Sequence, residues 1–207
     1  MNLEIITENR SEFGPVRDQG PLPTCLSHAT SSVHQTVQDF PNQLSAEALH
    51  YYATDGDLRI AASINGVSNA LQVEGQPAES DCDPVLPDNI DTWSPPNGVN
   101  TYCSASKQIE TIVSTLIEII SQDELPVLGV SLPEKFYEPT PPWIISAGTP
   151  VTTHAVVGVG IAQSDDGTLV LIRNSWGEDW GDSGHAWINE EFIHEHLMSV
   201  MLLTGDT

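Results

Sequence analysis

Near Pro126 the apolar positions of this chain change their period, and the change separates two kinds of structure. Before it the spacing is helical. Cys25, Ala29, Val33, Val37 and Phe40 recur at about 3.6 residues, so a helix is predicted over residues 24–40. Thr24 is placed to cap it and Pro41 to end it. Leu44 and Leu49 flank Ser45 in the positions of a hydrophobic staple, which starts a second helix. A third is predicted from Val67 to Glu74, closed by Gly75. Residues 76–104 are rich in Pro, Asp, Asn and Ser and read as an irregular crossing. Ile109, Ile112, Val113, Leu116, Ile117 and Ile120 then form the stripe of an amphipathic helix.

After Pro126 the apolar runs shorten and alternate with turn residues. Val127–Leu132, His154–Ile161, Leu169–Asn174 and His185–Ile188 are predicted strands, with Asp165-Asp166-Gly167 as a hairpin turn. Helices first and strands later predict an α+β chain. Its mainly helical part spans residues 14–105 and its mainly β part residues 106–207, with residues 1–13 as a lead-in. A chain of this length buries about 70% of its unfolded surface, enough for one large core or two small ones.

Charge narrows the partners. With 29 acidic residues against 6 Lys and Arg, the formal charge is −23. Such a field repels phosphate backbones, which argues against nucleic acid and anionic membrane. It keeps the surface solvated and favours a basic substrate or a basic inhibitor. No apolar run approaches the roughly 18 residues of a membrane span, and the first 20 residues carry no secretory pattern. No cysteine pair has metal-ligand spacing and the histidines are scattered, so neither a metal nor another cofactor is implied. Three cysteines are too few for a disulfide scaffold.

Three segments carry candidate chemistry: Gln19-Gly20-Pro21-Leu22-Pro23-Thr24-Cys25, Thr153-His154-Ala155-Val156 and Arg173-Asn174-Ser175-Trp176-Gly177. A thiol at a helix start gains from the positive end of the macrodipole, which favours the thiolate. An imidazole can take its proton, and an amide can fix the imidazole's orientation and tautomer. Alone, each has a plainer role. Cys25 would be a small buried apolar residue, His154 a structural histidine, Trp176 core packing and Gln19 a loop polar group. His28 and His34 lie on the Cys25 helix in contexts that match nothing, and His194 and His196 read as surface residues.

His154 follows Cys25 by 129 positions and Asn174 by 149, close to the roughly 130–150 residues of the papain-like arrangement. With these motifs the chain resembles the papain-like cysteine peptidases, from about Pro15 to its C-terminus. Ser183-Gly184 before His185-Ala186-Trp187-Ile188, and Gln43-Leu44-Ser45-Ala46-Glu47, extend the likeness. The resemblance implies a papain-like fold, a helical half and a β-barrel-like half with the active-site cleft between them, forming one catalytic unit. It implies Cys25 as nucleophile, His154 as base and then acid, and Asn174 as orienter. Gln19 with the Cys25 N–H would form the oxyanion hole, Trp176 would screen the His–Asn bond, and Gly66 would pair with the substrate backbone.

Departures are Leu26, Pro23, Thr24 and Thr153, where the family commonly carries an aromatic, a glycine, a small residue and Asn or Asp. They touch cleft width and side-chain preference rather than any reacting atom. The framework disulfides of secreted members are absent, which points to a reducing compartment or a bacterial origin rather than a lysosome; Cys82 and Cys103 remain beside the nucleophile. The lead-in before Gly14 is too short for the family's inhibitory prosegment. Restraint is therefore expected from removal of a longer precursor or from a separate proteinaceous inhibitor or immunity protein. The expected activity is a cysteine endopeptidase acting on protein or peptide. A narrower form is a bacterial effector or toxin domain, cytoplasmic or exported without a signal peptide. The same residues would serve another thiol acyl transferase (deamidase, transglutaminase or isopeptidase), and a degenerate scaffold would leave an inactive binding module.

Overall fold

The computed structural model describes residues 3–205. In chain order it contains β1 (Glu4–Glu8), α1 (Cys25–Val37), α2 (Ala46–Ala53), α3 (Ile64–Val73), β2 (Gln76–Pro77), β3 (Thr101–Tyr102), β4 (Ser106–Ile109) and α4 (Val113–Ser121). Then follow β5 (Val127–Pro133), β6 (Ile144–Ile145), β7 (Pro150–Ser164), β8 (Gly167–Arg173), β9 (His185–Asn189), α5 (Glu190–His196) and β10 (Leu197–Leu203). The expected α+β class is the observed one. The backbone divides into two compact units: a helical one of Gln19–Lys107 with the stretch from Leu203 onward, and a β one of Gln108–Leu202 with the stretch through Asp18.

In the helical unit, α2 starts as its staple requires. Ser45 Oγ accepts the Ala48 N–H at 3.1 Å, and Leu44 and Leu49 are both buried. Ser63 caps α3, accepting from Gly66 N–H at 3.0 Å, so this helix begins at Ile64, ahead of the predicted Val67. Thr24 holds the N-cap position of α1 without a side-chain capping bond.

The buried face of α1 differs from the apolar stripe read in the sequence. Val37 is exposed, whereas Ser27, Thr30, Ser31 and His34 are buried beside Ala29 and Val33. Partners from other segments make this tolerable for Ser27, Ser31 and His34, since buried polar groups need hydrogen bonds. Ser27 Oγ lies 3.2 Å from His50 Nδ1, Ser31 donates to Leu44 O at 2.8 Å, and His34 Nδ1 lies 2.8 Å from Gln76 Oε1. Gln76 in turn donates to Ser45 O at 2.9 Å. This unit is held together partly by a polar network.

In the β unit the sheet runs β10-β5-β7-β8-β9-β6, and β1 pairs with the far half of β7. All these pairings are antiparallel except β6 with β9. The β7–β8 hairpin closes at Ser164↔Gly167, where Asp165-Asp166-Gly167 predicted it. Leu128, Val130, Leu132, Val156, Ile161, Val170, Ile172 and Ile188 form the core with Leu116 and Ile120 of α4 and Phe192 of α5. The α4 stripe is shorter than expected. Ile109 belongs to β4 and Ile112 is extended, in keeping with the β-branched run Thr111-Ile112-Val113. Helix α5 was not foreseen, although Asn189 caps it by accepting from Phe192 N–H at 2.9 Å. His196 ends α5 buried, not at the surface. It lies 2.8 Å from Ser131 Oγ and accepts from Gly148 N–H at 3.1 Å.

Candidate active site

His154 lies on β7, paired across the ladder with Val130, and Asn174 follows the last residue of β8. The turn after β8 is pinned by Asn174 N–H donating to Gly184 O at 3.0 Å. His154 Nε2 and Asn174 Oδ1 are 2.7 Å apart. The same Oδ1 accepts the Ser175 backbone N–H at 2.8 Å, which identifies that atom as the oxygen. Nε2 must therefore carry hydrogen, and in the neutral ring the lone pair lies on Nδ1. The tautomer is the one a base acting through Nδ1 needs. Asn174 Nδ2 is buried with no hydrogen-bond partner among the described residues, so the amide is held through its oxygen.

An aromatic wall encloses the pair. Trp176 tilts over the His154 ring with centroids 4.7 Å apart, and Phe136 meets it edge-on at 5.9 Å. Tyr137 stacks on the same indole, Trp176, at 5.4 Å and 18°. Trp180 packs on Phe136 and donates its indole N–H to Phe136 O at 2.9 Å. This enclosure desolvates the imidazole. Burial pulls His154 down to about 4, and the Asn174 bond only partly opposes it. At neutral pH the isolated ring is neutral, ready to accept a proton.

Cys25 and Gln19 belong to the helical unit. Cys25 is the first residue of α1, a helix of 13 residues, and is partly buried. Gln19 Nε2 donates to Leu22 O at 2.9 Å, which sets the plane of its amide. Gly66 has a packing reason to be glycine: a Cβ there would stand 2.6 Å from Ala53 O. Its N–H is engaged by Ser63, so that donor is not open to a substrate backbone. The structure thus brings His154, Asn174 and Trp176 together and gives Gly66 a local role instead. Cys82 and Cys103 form no disulfide.

Phe136 and Tyr137 escaped the sequence reading, although two adjacent aromatics in a chain with few were a signal. Arg173 escaped it too, despite being one of only 6 Lys and Arg residues and standing directly before Asn174.

Comparison with known proteins agrees with this geometry. Residues 143–201, which include His154, Asn174 and Trp176, match the family described as papain family cysteine protease. The cathepsin B-like CP1 of Giardia intestinalis is 41% identical over 54 residues, 24% of this chain and 18% of that protein. An aleurain-like thiol protease of Arabidopsis thaliana is 53% identical over 32 residues, 16% of this chain and 9% of its own length. The matches therefore span well under two thirds of these relatives. Xylellain, a cysteine protease from Xylella fastidiosa, superposes with a TM-score of 0.81 at 17% identity, over 99% of this chain and 86% of its own. In fold the chain is papain-like along its length, and over residues 143–201 its sequence resembles the papain family of cysteine proteases.

Proposed function

We propose that the chain is a cysteine endopeptidase acting through Cys25, His154 and Asn174. The observation that carries the reading is the His154 Nε2–Asn174 Oδ1 bond of 2.7 Å, which fixes the ring's tautomer under a tryptophan. In the proposed sequence His154 Nδ1 takes the thiol proton as Cys25 Sγ attacks the scissile carbonyl carbon. The carbonyl oxygen becomes an oxyanion, met by the Cys25 backbone N–H and the side-chain amide of Gln19. The imidazolium then protonates the departing amine, and water releases the acid from the thioester by the same base.

Cys25→Ala and His154→Ala are expected to abolish peptide turnover with circular dichroism unchanged. Full turnover in either variant refutes the assignment. Mass spectrometry of products separates this reading from the other thiol acyl transfers. Backbone scission supports a peptidase, a one-dalton amide-to-acid change a deamidase, and a crosslink a transglutaminase.

The charge of −23 supports a narrower form, in which the chain is a delivered effector that cuts one basic protein and is held by a basic inhibitor. Broad cleavage of generic peptides, with no loss of affinity for basic proteins as salt rises, would count against it.

A further inference from the structure

We propose that Arg173 is a positioning residue: it clamps residues 13–18 onto the loop 174–177 and so holds Asn174 and the approach to Gln19. The inference rests on the cysteine-peptidase reading above.

The clamp engages the strap residue by residue. The Arg173 guanidinium stands 4.9 Å from the centre of the Phe13 ring. Its Nη2 donates to Gly14 O at 2.7 Å and to Pro15 O at 2.8 Å. Val16 packs against Gly184, whose φ of +81° and lack of a side chain admit it; a Cβ there would meet Val16 Cγ2 at 2.5 Å. Arg17 O accepts from Gly177 N–H at 3.0 Å, and Asp18 forms an isolated antiparallel bridge with Trp176. The next residue in the chain is Gln19.

Stability alone is a poor reason for this arrangement. Arg173 is 6% exposed, and burial lowers it to about 10, with the charge of Glu178 opposing the shift. Arg10 is tied instead to Asp182 at 2.7 Å and Glu8 at 3.1 Å, and the buried His185 adds another basic group nearby. A charge buried on neutral carbonyls is costly, and a packed apolar side chain often serves stability as well. Two hydrogens of one planar Nη2, each on a successive carbonyl, fix the plane of the guanidinium, which a freely rotating ammonium does not. Direction is what the loop needs, because Asn174 holds His154 through one oxygen.

The test compares the wild-type chain with Arg173→Met, Arg173→Lys and, as a surface control, Arg59→Met. Steady-state cleavage of a fluorogenic peptide is read beside amide hydrogen exchange resolved at Gly177. Arg173→Met is expected to lower kcat about 10-fold with KM within about 3-fold. The Gly177 amide should exchange at least 10-fold faster, while core amides of β5 and β7 hold their rates. Arg173→Lys should recover part of both, and Arg59→Met should change neither. Unchanged kcat and Gly177 exchange in Arg173→Met overturn the inference. So does exchange accelerated equally throughout, which would mark simple destabilisation. A wild-type chain that cleaves no peptide, with Gly177 protected, instead refutes the peptidase reading and takes this inference with it.

Discussion

Acidification should unfold this protein through two buried imidazoles. Burial holds both His154 and His185 at about 4, against an ordinary value of 6.5. The unfolded chain therefore takes up these protons first as the pH falls, and stability declines between about 6.5 and 4. Above 6.5 both states are neutral and the effect is absent. From pH 7 to 5.5 each histidine removes about 1 kcal/mol, so the pair removes about 2 kcal/mol. That is a substantial part of a typical stability of about 5–15 kcal/mol. His50, also lowered by burial, acts in the same direction. Urea unfolding at the two pH values measures the difference. Four of the five tryptophans, Trp143, Trp176, Trp180 and Trp187, lie in the β unit with both histidines and Trp93 lies in the helical one, so tryptophan fluorescence reports mainly the β unit. His154→Gln keeps a donor near Asn174 and His185→Asn one near Ser183 O, so each variant should remove about half of the loss. An unfolding free energy equal at pH 7 and 5.5, or variants with the wild-type pH slope, would refute the burial argument.

Other consequences follow from single contacts. Asn174→Ala removes the oxygen that orients His154 and should lower kcat by about 10²-fold. Asn174→Asp keeps that oxygen and adds charge, so NMR titration should find the His154 pKa raised and most of the activity kept. A titration identical to wild type would show that Asn174 does not contact the ring in solution. Gly184→Ala combines a left-handed backbone with a Cβ against Val16 and should cost about 2–3 kcal/mol, read as a lowered urea midpoint. Ser45→Ala should cost about 1 kcal/mol through loss of the α2 cap, in the same assay.

How much of this was legible in the sequence depended on whether a signal was local. The Ser45 staple, the Asp166-Gly167 turn and the four strands predicted after Pro126 carry their cause within a few residues and lie where the pattern put them, whereas β6 and β10 were not foreseen. The buried face of α1 was misread because hydropathy ranks Ser27, Ser31 and His34 as surface. Their partners, His50, Leu44 O and Gln76, come from distant segments. His196 was misread for the same reason, since Ser131 and Gly148 are far away in the chain. Ile109 illustrates the opposite error. A helical period continued past the point where β-branched residues made extended backbone the better choice. His154 and Asn174 were visible as motifs, but their bond of 2.7 Å and the Phe136 and Tyr137 enclosure are properties of the folded sheet.

Burial gives His154 a cost and a use that share one cause. An imidazole held at about 4 is too weak a base to keep a proton at neutral pH by itself. In the proposed reaction it need not do so alone, because the proton arrives as a thiolate forms and the two charges stabilise each other in a dry site. The aromatic wall that lowers the solitary ring's basicity would strengthen that pairing, since both effects come from the exclusion of water. Opening the wall should therefore move them in opposite directions. In Trp176→Ala the His154 pKa should rise towards 6.5 in the thiol-blocked protein, while the rate of Cys25 alkylation below neutral pH should fall. If both rise together, the enclosure does not couple base to nucleophile, and Trp176 is packing alone.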